Sequence, residues 1–594
     1  MAETGTRSTA RVSKLVMLEH DGVVEAPTWF GPHERPLLAW FTYPRSKRVR
    51  GAVVLCQPIA EEGNMAYRTF RALAQRLAAA GYLTMRFDYD GTGDSAGSFE
   101  DARRAEAWIA SVTEAVSEAR RWGTESVSLI GMRMGATLAY LAAADGCLGL
   151  KELVLWDPCV TGRGFLRELQ LLHSVSLEGR RTAPSGWVET PSYRFTPEAA
   201  AEIRALAIDG RAPLDRLARR TTVFVRDDRT RPPQLLAALP PPAATWIDAG
   251  GQAELLDVPT LHARVPENAV DAIVAHLTAG DGEPAIDILP RLKPRARWRV
   301  DGAEIEEEAC LFGADRTLFG VRTTGIPSRG GPTIAMFNVA AERHLGEGRT
   351  WVRLARELGR DGITSVRVDH GGVGDSGTRP HHVPDTVYDE GWIDDVRDVV
   401  WQLSPPRWGQ QPGQPSEQPS GQPSEQQERG VIGVGLCSSG TSVLQAVVSG
   451  VLREAIVVNV VFDTDLNAGL PPAWTLFPRK PRWLRRFAVR HKRVAALLWR
   501  AWGVIDPRRV PMWTTARAVA RGADVTVVGG PEDLARMRHN PLWLLVWGRP
   551  LVSGKGFRID EAPDADHSLR VSAGQDEVVK RVSERVRTSL GVRS

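Results

Sequence analysis

"GVIGVGLCSSGTSVLQA", Gly430 to Ala446, reads as a short apolar strand, a tight turn of small residues and then a helix. "SVSLIGMRMGATLAYLA", Ser126 to Ala142, has the same layout. One turn carries Cys437 at its tip and the other carries Arg133.

The likeness extends outward. "FRALAQRLAAAGYLTMRFDYDGTGDSAG" (Phe70 to Gly97) lies over "WVRLARELGRDGITSVRVDHGGVGDSG" (Trp351 to Gly377), pairing Arg86 with Arg367 and Asp88 with Asp369 at an offset of 281. The two turns, at Gly131 and Gly435, are offset by 304, and the excess of 23 matches "GQQPGQPSEQPSGQPSEQQERG" near 409–430. That Gln/Pro/Ser-rich stretch cannot build a core and is expected to be a disordered surface loop. The chain therefore reads as a duplicated unit. In each copy strand-like runs ("GAVVLCQ", "YLTMRFD"; "PTIAMFN", "ITSVRVD") alternate with helical ones ("YRTFRALAQRLAAAG"; "TWVRLARELGRDG"). Such alternation predicts a mostly parallel sheet flanked by helices, with functional loops at the strand C-termini. The expected division is 16–279, a connection over 280–298, and 299–592, with the loop at 408–430 and a cap at 464–523 inside the second unit.

Bulk properties agree. A chain of 594 residues exceeds one core and fits two domains. A net charge of +4 gives no reason to expect a nucleic-acid partner. No signal-peptide core and no run of 18 apolar residues occur, and the five cysteines (Cys56, Cys147, Cys159, Cys310, Cys437) form no CxxC pair. A reducing, cytoplasmic setting is expected, without a disulfide framework, metal or cofactor.

Strand, Gly-x-nucleophile-x-small, helix is the nucleophile elbow of the α/β-hydrolase fold. The tip is backbone-strained, so the positions two before and two after it must be small. Around Cys437 these are Gly435 and Ser439, whereas around Ser438 they would be Leu436 and Gly440. Cys437 is the better tip, and the partial positive charge of a helix N-terminus favours a thiolate there. The fold orders its catalytic groups nucleophile, acid, histidine. After the strand "ADVTVVGG" come Glu532 and Asp533, and "EAPDADHSLR" places His567 in the loop before the last helix. The oxyanion hole would use backbone N–H groups of Ser438 and of Val339 or Ala340. Asn338, Arg343, His344 and Arg349 lie near that mouth as candidate substrate-binding groups. In the first copy Arg133 cannot attack a carbonyl, and Leu255 stands where the histidine would be. Arg133 would instead hold an anionic group or a neighbouring carboxylate.

The tandem motifs resemble the serine-aminopeptidase-like branch of the α/β-hydrolases, especially the exosortase-system-associated hydrolases of exopolysaccharide gene clusters. "GMRMG" and "SYRFTPEAAAEIRALAIDG" resemble the Arg-elbow type, and "GLCSS", "NVA" and "RH" resemble a relative with a Cys elbow. The resemblance implies two tandem α/β-hydrolase domains and a hydrolase activity.

"FPRKPRWLRRFAVRHKRVAALLWRAWGVIDPRR", within the cap, interleaves arginines and lysines with Trp483, Trp499 and Trp502. It suits peripheral contact with an anionic membrane, grip on a phosphorylated or lipid-linked substrate, or a plain solvated face. The expectation is thus a Cys437 acyl-enzyme hydrolase acting on a small-molecule or lipid-linked ester, thioester or amide, with the first half a pseudo-hydrolase. Acyl transfer by the same triad, and a non-catalytic scaffold, are the alternatives. The oligomeric state stays open.

Overall fold

The structure, a computed structural model, describes residues 16–145, 149–176, 183–279, 284–337, 339–340, 342–380, 391–404, 430–460, 511–539 and 556–592, with 382–384, 386 and 389. The Gln/Pro/Ser-rich loop, most of the expected cap (461–510) and Asn338 lie outside the described residues.

Among the described residues β1 (Leu18–His20), β2 (Val23–Phe30), β3 (Leu37–Pro44), β4 (Ala52–Cys56), β5 (Leu83–Phe87), β6 (Val127–Met132), β7 (Glu152–Trp156), β8 (Arg220–Arg226) and β9 (Thr245–Ala249) form a nine-stranded sheet. Its order is β1-β2-β3-β5-β4-β6-β7-β8-β9. A second nine-stranded sheet contains β10 (Arg295–Val300), β11 (Ala303–Phe312), β12 (Leu318–Ile326), β13 (Thr333–Phe337), β14 (Ser365–Val368), β15 (Val431–Leu436), β16 (Glu454–Val458), β17 (Asp524–Gly529) and β18 (Phe557–Glu561). Its order, β10-β11-β12-β14-β13-β15-β16-β17-β18, repeats the first strand for strand.

In each sheet the first three strands are antiparallel and the remainder run parallel. The central parallel strands β4, β6 and β15 are buried along their whole length, so they read as continuous apolar runs without alternation. Flanking helices bury one stripe. Helix Thr350–Arg360 puts Trp351, Leu354, Ala355 and Leu358 inward at helical spacing.

The antiparallel ends of the two sheets meet each other. Trp40 packs edge-on against Phe319 with ring centroids 4.7 Å apart, and Trp29 lies 5.5 Å from Trp298. Around them runs a crossed set of buried ions. Arg86 donates to Asp375 Oδ1 at 3.3 Å, and Arg367 donates to Asp94 Oδ1 at 3.1 Å. Arg71 reaches the carbonyls of Gly374 and Ser376, while Arg356 reaches those of Asp94 and Ser95. Glu25 and Glu307 each anchor their own half's pair of arginines. Residue i of one half meets residue j of the other, and j meets i, as in a two-fold contact between like subunits.

Candidate active site

The elbows form as their small residues require. Cys437 and Arg133 both have positive φ, +51° and +54°, and each precedes a helix, Ser438–Val448 and Met134–Asp145. A Cβ at Gly435 would come within 2.6 Å of the Gly440 nitrogen and 2.7 Å of the Ser439 carbonyl carbon, so only glycine fits. Ser439 does more than stay small. Its hydroxyl accepts from the Leu436 N–H at 3.0 Å and lies 3.1 Å from the carbonyls of Phe337 and Leu436.

Cys437, 8 % exposed, stands at the C-terminal end of β15. His567 Nε2 lies 3.4 Å from its Sγ, and His567 Nδ1 lies 2.9 Å from Asp533 Oδ1. The nucleophile–base and base–orienter contacts of a triad are thus both made. Asp533 sits in the first turn of helix Pro531–His539, where helix polarity suits a carboxylate. Its side chain is 6 % exposed; that of the adjacent Glu532 is 63 % exposed and 3.9 Å from Arg536. The structure therefore separates the two candidate acids. Burial pulls the His567 pKa down, but the hydrogen bonds to Asp533 and Cys437 and their charges outweigh it and raise the value to about 10.

Asn459, at the end of β16, was not singled out by the sequence. Its Nδ2 donates to the carbonyls of Asp566 (2.9 Å) and His567 (3.0 Å), and its Oδ1 accepts from the Gly530 N–H at 3.1 Å. It ties the histidine loop to the acid loop. Asn459 and the corresponding Asp157 of the first half share positive φ, +47° and +42°, but that signal needs the strand ends in register.

Several expected site residues sit elsewhere. The Ala340 N–H donates to Ser438 Oγ at 2.8 Å rather than standing open, and Val339 packs beside the Cys437 cluster. His344 lies fully buried between Asp94 and Asp369, and Arg343 stacks over Tyr67, with its guanidinium carbon 4.2 Å from the ring centroid. Arg349 spends its donors on the carbonyls of Gly91, Gly93, Ser95 and Gly97. All three make contacts with the other half of the chain. Arg133 takes the neighbouring-carboxylate option: it bonds Glu62 at 2.9 Å, bonds Glu168, and lies 3.7 Å from Asp157. Arg226 and Arg229 line the same cavity beside Arg133, Asp157 and Glu168. Leu255, at the position of the absent histidine, is a buried core residue.

The sequence profile of the family described as serine aminopeptidase, S33, matches residues 47–191, from before β4 past the Arg133 elbow. The second sheet repeats the strand order of the first, so both halves have the same α/β architecture, a mostly parallel sheet flanked by helices. Among solved structures, Est1E from Butyrivibrio proteoclasticus is 14 % identical, over 42 % of this chain and 97 % of that one, with a TM-score of 0.32. The esterase Pf2001 of Pyrococcus furiosus is 12 % identical over 48 % and 92 % of the two chains, with a TM-score of 0.29. A thioesterase domain from the curacin biosynthetic pathway is 15 % identical over 43 % and 99 %, with a TM-score of 0.28. No curated protein matches the chain. Among the described residues no helix is long and apolar enough to cross a membrane.

Proposed function

We propose that the second half is a cysteine-dependent acyl hydrolase and that the first half is a pseudo-hydrolase. The supporting observation is the Cys437–His567–Asp533 chain of contacts, 3.4 Å and 2.9 Å, at the ends of three parallel strands or their loops. The thiolate is the attacking form, and His567 Nε2 stands beside Sγ to exchange its proton. The thiolate adds to the carbonyl carbon of an ester, thioester or amide. The resulting oxyanion is held by the Ser438 N–H together with the Val339 N–H. The Ser438 hydroxyl accepts from the Ala340 N–H, which leaves its own proton free to turn toward the oxyanion.

As the tetrahedral intermediate collapses, His567 Nε2 gives its proton to the leaving group and a thioester remains on Cys437. His567 then takes a proton from water, the hydroxide cleaves the thioester, and the acid departs as the thiol is restored. Asp533 keeps the Nδ1–H in place throughout. Such a thiol needs a reducing setting, and among the described residues Cys56, Cys159, Cys310 and Cys437 form no disulfide. The basic aromatic segment at 477–509 lies outside the described residues, and its composition suits a lipid-linked or anionic acyl substrate.

An activated ester such as 4-nitrophenyl acetate tests this reading. Wild-type protein should give a burst of nitrophenolate with the acyl group on Cys437, found by peptide mass spectrometry. His567→Ala should abolish the burst, and Asp533→Asn should slow it by about 10²–10⁴-fold. Glu532→Gln should leave the burst unchanged. Wild-type protein with no acyl group on Cys437 would refute the reading.

A further inference from the structure

The loops that carry the Cys437 site are held from outside their own half. Residues 339–349 run from the oxyanion loop to helix Thr350–Arg360, and three side chains in this run bind the first half. His344 donates from Nε2 to Asp94 Oδ2 at 2.8 Å and from Nδ1 to Asp369 Oδ2 at 2.9 Å, while its backbone N–H donates to Asp369 Oδ1 at 2.5 Å. Arg343 stacks on Tyr67 and lies 3.7 Å from Asp88. Arg349 grips the carbonyls of the 91–97 loop, the "GTGDSAG" stretch of the first half.

The histidine loop is held in the same way. Arg570, three residues past His567, donates to Glu61 Oε1 at 3.1 Å, and its carbonyl accepts from the Ser192 N–H at 2.9 Å. Gln575 joins the Ser192 carbonyl (3.0 Å) to that of Leu569 (2.8 Å). The crossed Arg–Asp pairs are reciprocal, and the first half's Tyr67 and Arg71 likewise bond Asp375 and the carbonyls of Gly374 and Ser376, but the imidazole contact is not returned. The residue 281 positions before His344 is Gly63, which has no side chain to return the contact.

We propose that the first half is a positioning subunit for the second, and that Asp94, acting through His344, sets the 339–340 amides at the Cys437 site. This rests on the acyl-hydrolase reading. Asp94 and His344 are positioning residues: neither touches the reacting atoms. A half that has lost its own nucleophile and histidine keeps a role by fixing its neighbour's oxyanion geometry, where a displacement of about 1 Å costs about 10²-fold in rate.

The test compares two reactions of the same sulfur in the full-length chain. Iodoacetamide alkylates Cys437 by direct displacement: an S–C bond forms, the C–I bond breaks and iodide leaves, with no oxyanion. With 4-nitrophenyl acetate an S–C bond forms through a tetrahedral oxyanion, the carbonyl C–O bond breaks, and the electron pair leaves on nitrophenolate. In Asp94→Asn, and in His344→Gln from the other side of the contact, acylation should slow by about 10–10²-fold through kcat with KM unchanged. Alkylation should stay within about twofold of wild type. Unchanged acylation, or acylation and alkylation falling together, overturns the proposal. Failure of both variants to fold also overturns it, because the contact would then hold the fold and not the site. Wild-type protein that alkylates but never acylates sinks the hydrolase reading itself, which separates the two failures.

Discussion

His567 and Asp533 show how an imidazole can be held charged at neutral pH. Burial alone would lower its pKa, and the carboxylate on Nδ1 together with the sulfur near Nε2 reverses that to about 10. The imidazolium should therefore persist across the neutral range. In Asp533→Asn the support from the carboxylate is lost while burial still opposes the charge, so the midpoint should fall below about 10. Nitrogen NMR of the ring, titrated from pH 5 to 11, reads this directly; a midpoint unmoved by the substitution would show that Asp533 does not orient the ring. The choice of Asp533 over Glu532 was invisible in the sequence "GGPEDLARM" because both follow the strand. Neighbouring helical positions differ by about 100° around the axis, so only the packed helix decides which one faces inward.

The elbow is an element whose geometry was legible in advance. Its glycine and serine spacing follows from local sterics within a few residues, and the tip φ of +51° is the conformation that those small neighbours permit. Gly435→Val should destabilise the second half by about 1–3 kcal/mol, because its Cβ meets backbone on the Ser439–Gly440 turn that cannot rotate away. Denaturant unfolding measures the loss, and the rate of Cys437 alkylation should fall with it. A variant as stable and as reactive as wild type would mean that the turn has room which the geometry denies. The oxyanion loop was less legible. Its sequence offered Val339 and Ala340 as donors but gave no sign that the Ser438 hydroxyl would occupy the Ala340 amide, a contact 98 residues away along the chain.

At the scale of the molecule, the contact between halves is ionic at its centre. Arg367 is fully buried and serves both Glu307 and Asp94, which keep Arg356 and His344 as their other partners, so Arg367→Met should cost about 1.5–3 kcal/mol, measured by denaturant unfolding. A loss below about 1 kcal/mol would show that water or a neighbouring arginine replaces it. His344 adds a pH dependence. Burial opposes its charge, but Asp94 and Asp369 raise its pKa from 6.5 to about 10. A raised value means that its stabilisation is complete below pH 6.5 and is lost as pH climbs through about 10. The Tm should accordingly decline over that window, more steeply in wild type than in His344→Gln. Equal slopes would place the titration elsewhere.

What could be read along the chain was whatever short-range physics decides: apolar runs for buried parallel strands, tight-turn glycines, and the order of sulfur, acid and imidazole. These depend on a handful of adjacent residues or on simple precedence, so 594 letters suffice to reveal them. What emerged only in three dimensions was the assignment of Arg343, His344 and Arg349, polar residues near the elbow in sequence terms that bond the other half of the chain. Their partners lie about 250 positions earlier, and no periodicity or local steric rule links a histidine to an aspartate at that separation. Packing two like sheets back along their antiparallel ends created those pairs, and the same packing joined one half's reactive loops to the other.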